Sequence, residues 1–220
     1  MNSRIILPLD NMEWEKAEVI MQMTQGMVWG YKVRRTVLDK GLCIIQKIKE
    51  YGNVMVDFKL YDIPSAIDES VHAHLESGAD ITTVHCTAGY IPVPVQAPKI
   101  AGVTILTSMA GYQFEKYYRG DVQGAVRSMA MDAEKLKYGY VVCSAADLKE
   151  GLPIYHTKKI CPGIRPQWYQ ENDDQKRTMT PKDSIEAGAD LLVIGRPILN
   201  SSDPIRAVDW TNEEIESAEK

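Results

Sequence analysis

The 220-residue sequence has no basic excess, no closely paired cysteines and no long apolar run, and each absence removes a class of protein. Lys and Arg number 25 against 30 Asp and Glu, a formal net charge of −5, whereas a nucleic-acid partner usually leaves a basic surplus or patch. No nucleic-acid partner is expected, and basic side chains should matter only locally, at a site. Cys43, Cys86, Cys143 and Cys161 are scattered, with no C-x-x-C. That spacing speaks against a zinc site and for reduced, mostly buried thiols in a cytoplasmic protein. No stretch approaches the roughly 18 apolar residues of a membrane span, so no membrane association is expected. The opening Met1-Asn2-Ser3-Arg4 leads straight into a strand and not into the apolar core of a signal peptide. No internal repeat, low-complexity segment or linker divides the chain, which predicts one domain over residues 1–220.

What the chain does have is a regular alternation. Short apolar runs at residues 5–9, 28–33, 54–60, 80–84, 102–106, 138–143, 159–162 and 191–194 read as strands. Amphipathic stretches between them read as helices, at residues 12–23 (with Asn11 as a possible cap), 38–51, 65–76, 122–136, 145–150, 181–187 and from 203 onward. The proline-rich segment 90–97 leaves any fourth helix short or broken. Eight strands alternating with about eight helices predict a closed parallel (β/α)8 TIM barrel. The structural alternative is a doubly wound open sheet, and no G-x-G-x-x-G after the first strand supports it.

The most informative stretch is Val54-Met55-Val56-Asp57-Phe58-Lys59-Leu60-Tyr61-Asp62-Ile63-Pro64. Side chains alternate across a strand, so Met55, Asp57 and Lys59 share one face, the acid and the base roughly 7 Å apart. Pro64 suits the first turn of a helix, which leaves Asp62 in the loop just beyond. A buried ion pair is costly and often no more stable than an apolar pair of the same volume. An acid, a base and a second acid at a strand end therefore point to chemistry. Other unusual polar residues also fall at strand ends, where such barrels carry their sites: Asp10, Lys32, Thr107, Ser108, Arg165 within Pro162-Gly163-Ile164-Arg165-Pro166, and Arg196 within Ile194-Gly195-Arg196-Pro197. Two arginines beside Gly163 and Gly195, after the last two strands, suggest a seat for a phosphodianion. The long polar stretch from residue 166 to 180 predicts a lid over that phosphate, with Gln175 as a contact.

Asp57-Phe58-Lys59-Leu60-Tyr61-Asp62-Ile63-Pro64 resembles the signature of the orotidine 5'-monophosphate decarboxylases. The resemblance continues in order through Leu7-Pro8-Leu9-Asp10, Tyr31-Lys32-Val33, Leu106-Thr107-Ser108-Met109, Val141-Val142-Cys143-Ser144-Ala145, Pro162-Gly163-Ile164-Arg165-Pro166, Asp174-Gln175-Lys176-Arg177 and Val193-Ile194-Gly195-Arg196-Pro197-Ile198. It implies conversion of orotidine 5'-phosphate to uridine 5'-phosphate and carbon dioxide, without a cofactor or metal, in a homodimer. It implies that Lys59 stabilises and protonates the C6 carbanion, that Asp57 lies near the substrate carboxylate, and that Asp62 reaches into the partner subunit's site beside Lys32. Asp10 and Lys32 would bind the ribose, Thr107 or Ser108 the pyrimidine, and Gln175, Gly195 and Arg196 the phosphate with Arg165 beside them. Ile63 and Pro162 would line the substrate. Two departures from the family pattern are Ala66, where a Thr is usual, and Ala110, where a Ser is common.

Other residues are weaker candidates. His85 could line the site but reads more readily as structural, and His72 and His74 lie on different faces of a helix. The competing functions are a magnesium-dependent sugar-phosphate decarboxylase or aldolase on the same barrel, and a noncatalytic barrel that binds a phosphate ligand.

Overall fold

Strand β1 (Ile5–Pro8) pairs in parallel with β2 (Gly30–Val33) on one side and with β8 (Leu191–Val193) on the other, and this last pairing closes the ring. Between them β3 (Asn53–Leu60), β4 (Ile81–His85), β5 (Ile100–Val103), β6 (Tyr140–Val142) and β7 (Lys158–Pro162) follow in sequence order, each parallel to its neighbours. The architecture is the closed eight-stranded barrel expected from the sequence. The computed structural model describes residues 3–10, 12–109, 111–118, 120–169 and 178–218.

Alternation along each strand divides the core in two. Ile6, Met55, Ile81, Ala101, Ile160, Leu191 and Val193 fill the barrel interior. Their neighbours Ile5, Leu7, Val54, Val56 and Leu192 turn outward and pack beneath the helices. The helices are α1 (Trp14–Thr24), α2 (Arg35–Lys40), α3 (Ile44–Lys49), α4 (Pro64–Glu76), α5 (Gly111–Tyr117), α6 (Val122–Lys135), α7 (Ala145–Lys149), α8 (Pro181–Glu186), α9 (Arg196–Leu199) and α10 (Pro204–Ser217). Several carry the caps their sequences supply: Asp121 accepts the Gly124 N–H at 2.7 Å, Ser144 and Asp147 form a reciprocal capping box, and Asp203 accepts the Arg206 N–H at 3.0 Å.

The structure corrects two of the expected elements and adds two helices. The helix expected over residues 38–51 is two helices, because Gly41 (φ +77°) interrupts it with a backbone conformation a helix cannot hold. β5 lies earlier than expected, at Ile100–Val103, and the run that follows it leaves the ladder to form the barrel mouth. α5 was not expected; it is held by Phe114, which is buried and stacks on Tyr118 with ring centroids 5.0 Å apart. α9 adds one further turn directly after β8. The proline-rich segment forms no α-helix, only 3-10 turns at Cys86–Ala88 and Ala97–Lys99. The first helix opens at Trp14 after Glu13, and Asn11, the expected cap, lies outside the described residues.

One buried titratable group ties the helical layer to the barrel next to the site. His74 of α4 is 6% exposed, its Nδ1 lies 2.8 Å from the Thr82 hydroxyl of β4, and its ring stacks on Phe58 of β3 at 5.3 Å. Burial holds its pKa below the ordinary value of 6.5. Below pH 6.5 the unfolded chain therefore takes up a proton that the folded chain refuses, and stability falls as pH drops from 6.5 toward the folded-state value. Thermal denaturation between pH 7.5 and 5 should show Tm falling through that window. The fall should be shallower in His74→Asn, and an unchanged slope in that variant would assign the effect to other groups.

Candidate active site

The site begins with an irregularity in β3. Val56 pairs with Thr82 and Leu60 with Val84, so Asp57, Phe58 and Lys59 together stand opposite the single residue Thr83. Two extra residues preserve the alternation: Val56 and Leu60 still face the helices, and Asp57 and Lys59 both face inward. A regular ladder would offer one inward side chain at this point, and the bulge offers two. Lys59 carries the strain, with φ +52°, a left-handed conformation that costs a non-glycine residue about 1–2 kcal/mol. Its N–H, displaced from the ladder, donates to the Thr83 hydroxyl at 2.8 Å.

Four side chains then form a line of alternating charge. Asp10, just beyond β1, accepts a hydrogen bond from Lys32 of β2, whose ammonium lies 3.0 Å from Asp57 Oδ2. The Lys59 ammonium reaches the same oxygen at 2.8 Å, and the Thr83 hydroxyl donates to Asp57 Oδ1 at 3.1 Å. For Asp57 and Lys32 burial works against the charge, and the partners outweigh it. Asp57 is held below the usual carboxylate range by the two ammoniums, and Lys32 above the usual lysine range by Asp57 and Asp10. Both groups are therefore ionised at neutral pH. His85, at the end of β4, is kept below its usual range by burial and by the nearby Lys59 charge, and packs edge-on to Tyr61 at 5.6 Å.

The line opens into a cavity of about 420 Å³ at the carboxyl ends of the strands. Lys32, Asp57, Lys59, Thr107, Ser108 and Pro162 line it, six of the residues expected from sequence. Most of its remaining lining is apolar, from Met55, Val103, Ile105, Leu106, Val142, Cys143 and Val193. Arg34 also lines it and was missed. It stands two residues after Lys32, just past the end of β2, and that spacing is the signal by which it could have been found. Asp10, Lys32, Asp57 and Lys59 cancel one another in formal charge, so Arg34 makes this part of the cavity net positive.

Other expected residues lie outside this lining. Asp62 and Ile63 stand exposed on the loop between β3 and α4, where Asp62 Oδ1 accepts the Ile63 N–H at 2.7 Å. Arg165 Nη1 donates to the Ile164 carbonyl at 2.8 Å, and its guanidinium lies 5.9 Å from the Tyr169 ring centroid. Arg196 is the first residue of α9, directly after β8. Gly195 precedes it under a tight constraint, since a Cβ there would come within 2.9 Å of the Pro8 ring. Gly163, at φ +79°, also occupies a conformation suited to glycine. Gln175 and Ala110 lie outside the described residues.

The family model described as Orotidine 5'-phosphate decarboxylase / HUMPS family matches residues 3–209. The chain is 34% identical to the orotidine 5'-phosphate decarboxylase of Lawsonia intracellularis, covering 94% of this chain and 96% of that one. It is also 34% identical to that of Rhodopseudomonas palustris, covering 98% and 95%. Among solved structures, the orotidine 5'-phosphate decarboxylase of Lactobacillus acidophilus superposes with a TM-score of 0.79 at 24% identity, covering 97% of this chain and 99% of that one, which speaks to the fold. A match this long, with relatives identical at about a third of positions, means that the chain belongs to the orotidine 5'-phosphate decarboxylase / HUMPS family.

Proposed function

We infer that Lys59 stabilises the carbanion formed at C6 of orotidine 5'-phosphate and then protonates it, in the decarboxylation to uridine 5'-phosphate that the family assigns to this chain within pyrimidine synthesis. The observation that carries this reading is the placement of the Lys59 ammonium, 2.8 Å from the ionised Asp57, in a largely apolar cavity at the barrel mouth. As the bond from C6 to the carboxylate breaks, its electron pair stays on a carbon that the pyrimidine ring cannot delocalise, and carbon dioxide leaves. A preorganised cation at that carbon lowers the barrier, because little reorganisation is needed as the charge forms. The same ammonium then gives its proton to C6 as general acid. Asp57 lies beside the leaving carboxylate and holds the Lys59 ammonium in place. The chemistry needs no cofactor and no metal.

The other contacts follow from position. Asp10 and Lys32 hold the ribose, and Thr107 or Ser108 reads the pyrimidine against the apolar walls, with Ile63 and Pro162 alongside. Gln175, Gly195 and Arg196 hold the phosphate, with Arg165 beside them. The enzyme acts as a cytoplasmic homodimer in which Asp62 enters the partner's site next to Lys32. What supports the dimer is a set of exposed apolar side chains on the connections that follow β3 and β4: Tyr61 is 66% exposed, Ile63 65%, Ile91 74% and Val95 82%. Such side chains favour a partner over water. Asp62 also has no basic side chain within ion-pairing distance among the described residues.

Lys59→Ala should lower turnover of orotidine 5'-phosphate by about 10³-fold or more while leaving the circular dichroism spectrum unchanged. A variant keeping a tenth of parental activity would remove Lys59 from the chemistry. The shared site is checked by mixing inactive Lys59→Ala and Asp62→Ala proteins and following uridine 5'-phosphate formation. Random pairing should restore about a quarter of the parental sites in mixed dimers, and no recovery after subunit exchange would rule out a contribution from Asp62 across the interface.

A further inference from the structure

We propose that Thr83 is a positioning residue for the reacting lysine, its one hydroxyl joining the Lys59 backbone to the Asp57 carboxylate and so fixing where the ammonium stands. The proposal rests on the role given to Lys59 above. Thr83 is fully buried and does not line the cavity, so it acts through its neighbours and not on the substrate. The directions of its two hydrogen bonds are fixed by chemistry: the Lys59 N–H can only donate, at 2.8 Å, and the ionised Asp57 Oδ1 can only accept, at 3.1 Å. One hydroxyl meets both needs, since it carries one proton and can accept another.

The bulge explains why a side chain is required. With three residues of β3 opposite Thr83 alone, its hydroxyl takes the Lys59 N–H that the ladder has displaced. Satisfying that N–H offsets the cost of φ +52° at Lys59. On the carboxylate, both ammoniums use Oδ2, and the bond to Oδ1 sets the rotation that presents Oδ2 to them. Replacing the hydroxyl with a methyl leaves the Lys59 N–H and Asp57 Oδ1 without this partner, and a lost bond to a charged group weighs more than one between neutral groups. The backbone of Lys59 would relax out of the left-handed region and carry the ammonium with it.

The test compares Thr83→Val, which keeps the shape and loses the hydroxyl, with Thr83→Ser, which keeps the hydroxyl. Thr82→Val is the control from the same strand: its hydroxyl is equally buried but bonds to His74 in the helical layer and not to Asp57 or Lys59. With orotidine 5'-phosphate as substrate, T83V should lose about tenfold or more in kcat with KM within about twofold of the parent. Its acid limb should move to higher pH, because Asp57 has lost a donor to its charged form. T83S should stay within about threefold of the parent, and T82V should lose stability but not kcat. Parental kcat in T83V, or T83S as slow as T83V, would overturn the proposal. Should T83V not fold, T83A is read by the same criteria. Modification of Lys59 by an amine-directed acylating reagent, followed by mass spectrometry, gives a readout independent of turnover. It should be faster in the valine variant than in the serine variant, and equal rates would overturn the positioning role. A parent that labels as expected yet leaves orotidine 5'-phosphate unchanged would remove the decarboxylase reading alone.

Discussion

Four charges in alternation, Asp10, Lys32, Asp57 and Lys59, are the constraint around which the barrel mouth is built. Each would be unfavourable to bury alone, and a single buried pair often gains nothing over apolar packing. Arranged in line, each interior member is flanked by opposite charge on both sides, and the set is neutral overall. Asp57 shows the result: it is 6% exposed and yet ionised more readily than a carboxylate in water. Beneath the line lies the apolar barrel interior of Met55, Ile81 and Ile160. That floor keeps water out and strengthens the attraction between the charges above it. Removing one member would leave a neighbour short of one of its partners, so the four are coupled.

The regular part of the barrel and the strained part have separate tasks. The ladder between β2 and β3 runs without interruption from Gly30 to Val33, placing Lys32 beside Met55 and one step below Asp57. The ladder between β3 and β4 breaks at the point where two ionic side chains must project together. A strand of ideal geometry could carry both residues, but it could not set both against the same short stretch of its neighbour. The cost of the irregularity falls on the Lys59 backbone, and the surrounding sheet is regular enough to sustain it.

Much of this was legible in the sequence, and what was not has physical reasons. The eight-strand count, the inward face shared by Asp57 and Lys59, and the gathering of Lys32, Thr107 and Ser108 at one cavity follow from period-two alternation and the rule that barrel sites form at strand ends, while Pro162 was expected there from the family resemblance. Arg34 was legible from its spacing to Lys32. The bulge was not, because no glycine or proline marks residues 57–59 and the group that sustains it lies on another strand. Thr83 looked ordinary, since threonine is common in strands for its shape alone. The break at Gly41 was hidden because the apolar period continues across it, through Leu38, Leu42 and Ile45. Phe114, the anchor of α5, sits in a stretch whose remaining residues are mostly polar or tyrosine and show no apolar period.

The contact between Gly195 and Pro8 has a consequence for how the protein is made. It lies on the seam where the first and last strands meet, so it joins segments that leave the ribosome nearly a whole chain apart. A growing polypeptide can display the acid and lysine of its third strand long before that seam can form, but the ring has no wall on its final side until β8 arrives. Closing so distant a pair is entropically slow and comes late. Truncated or stalled products therefore carry these charged side chains without a closed ring around them, and the cavity wall is completed only once β8 is in place.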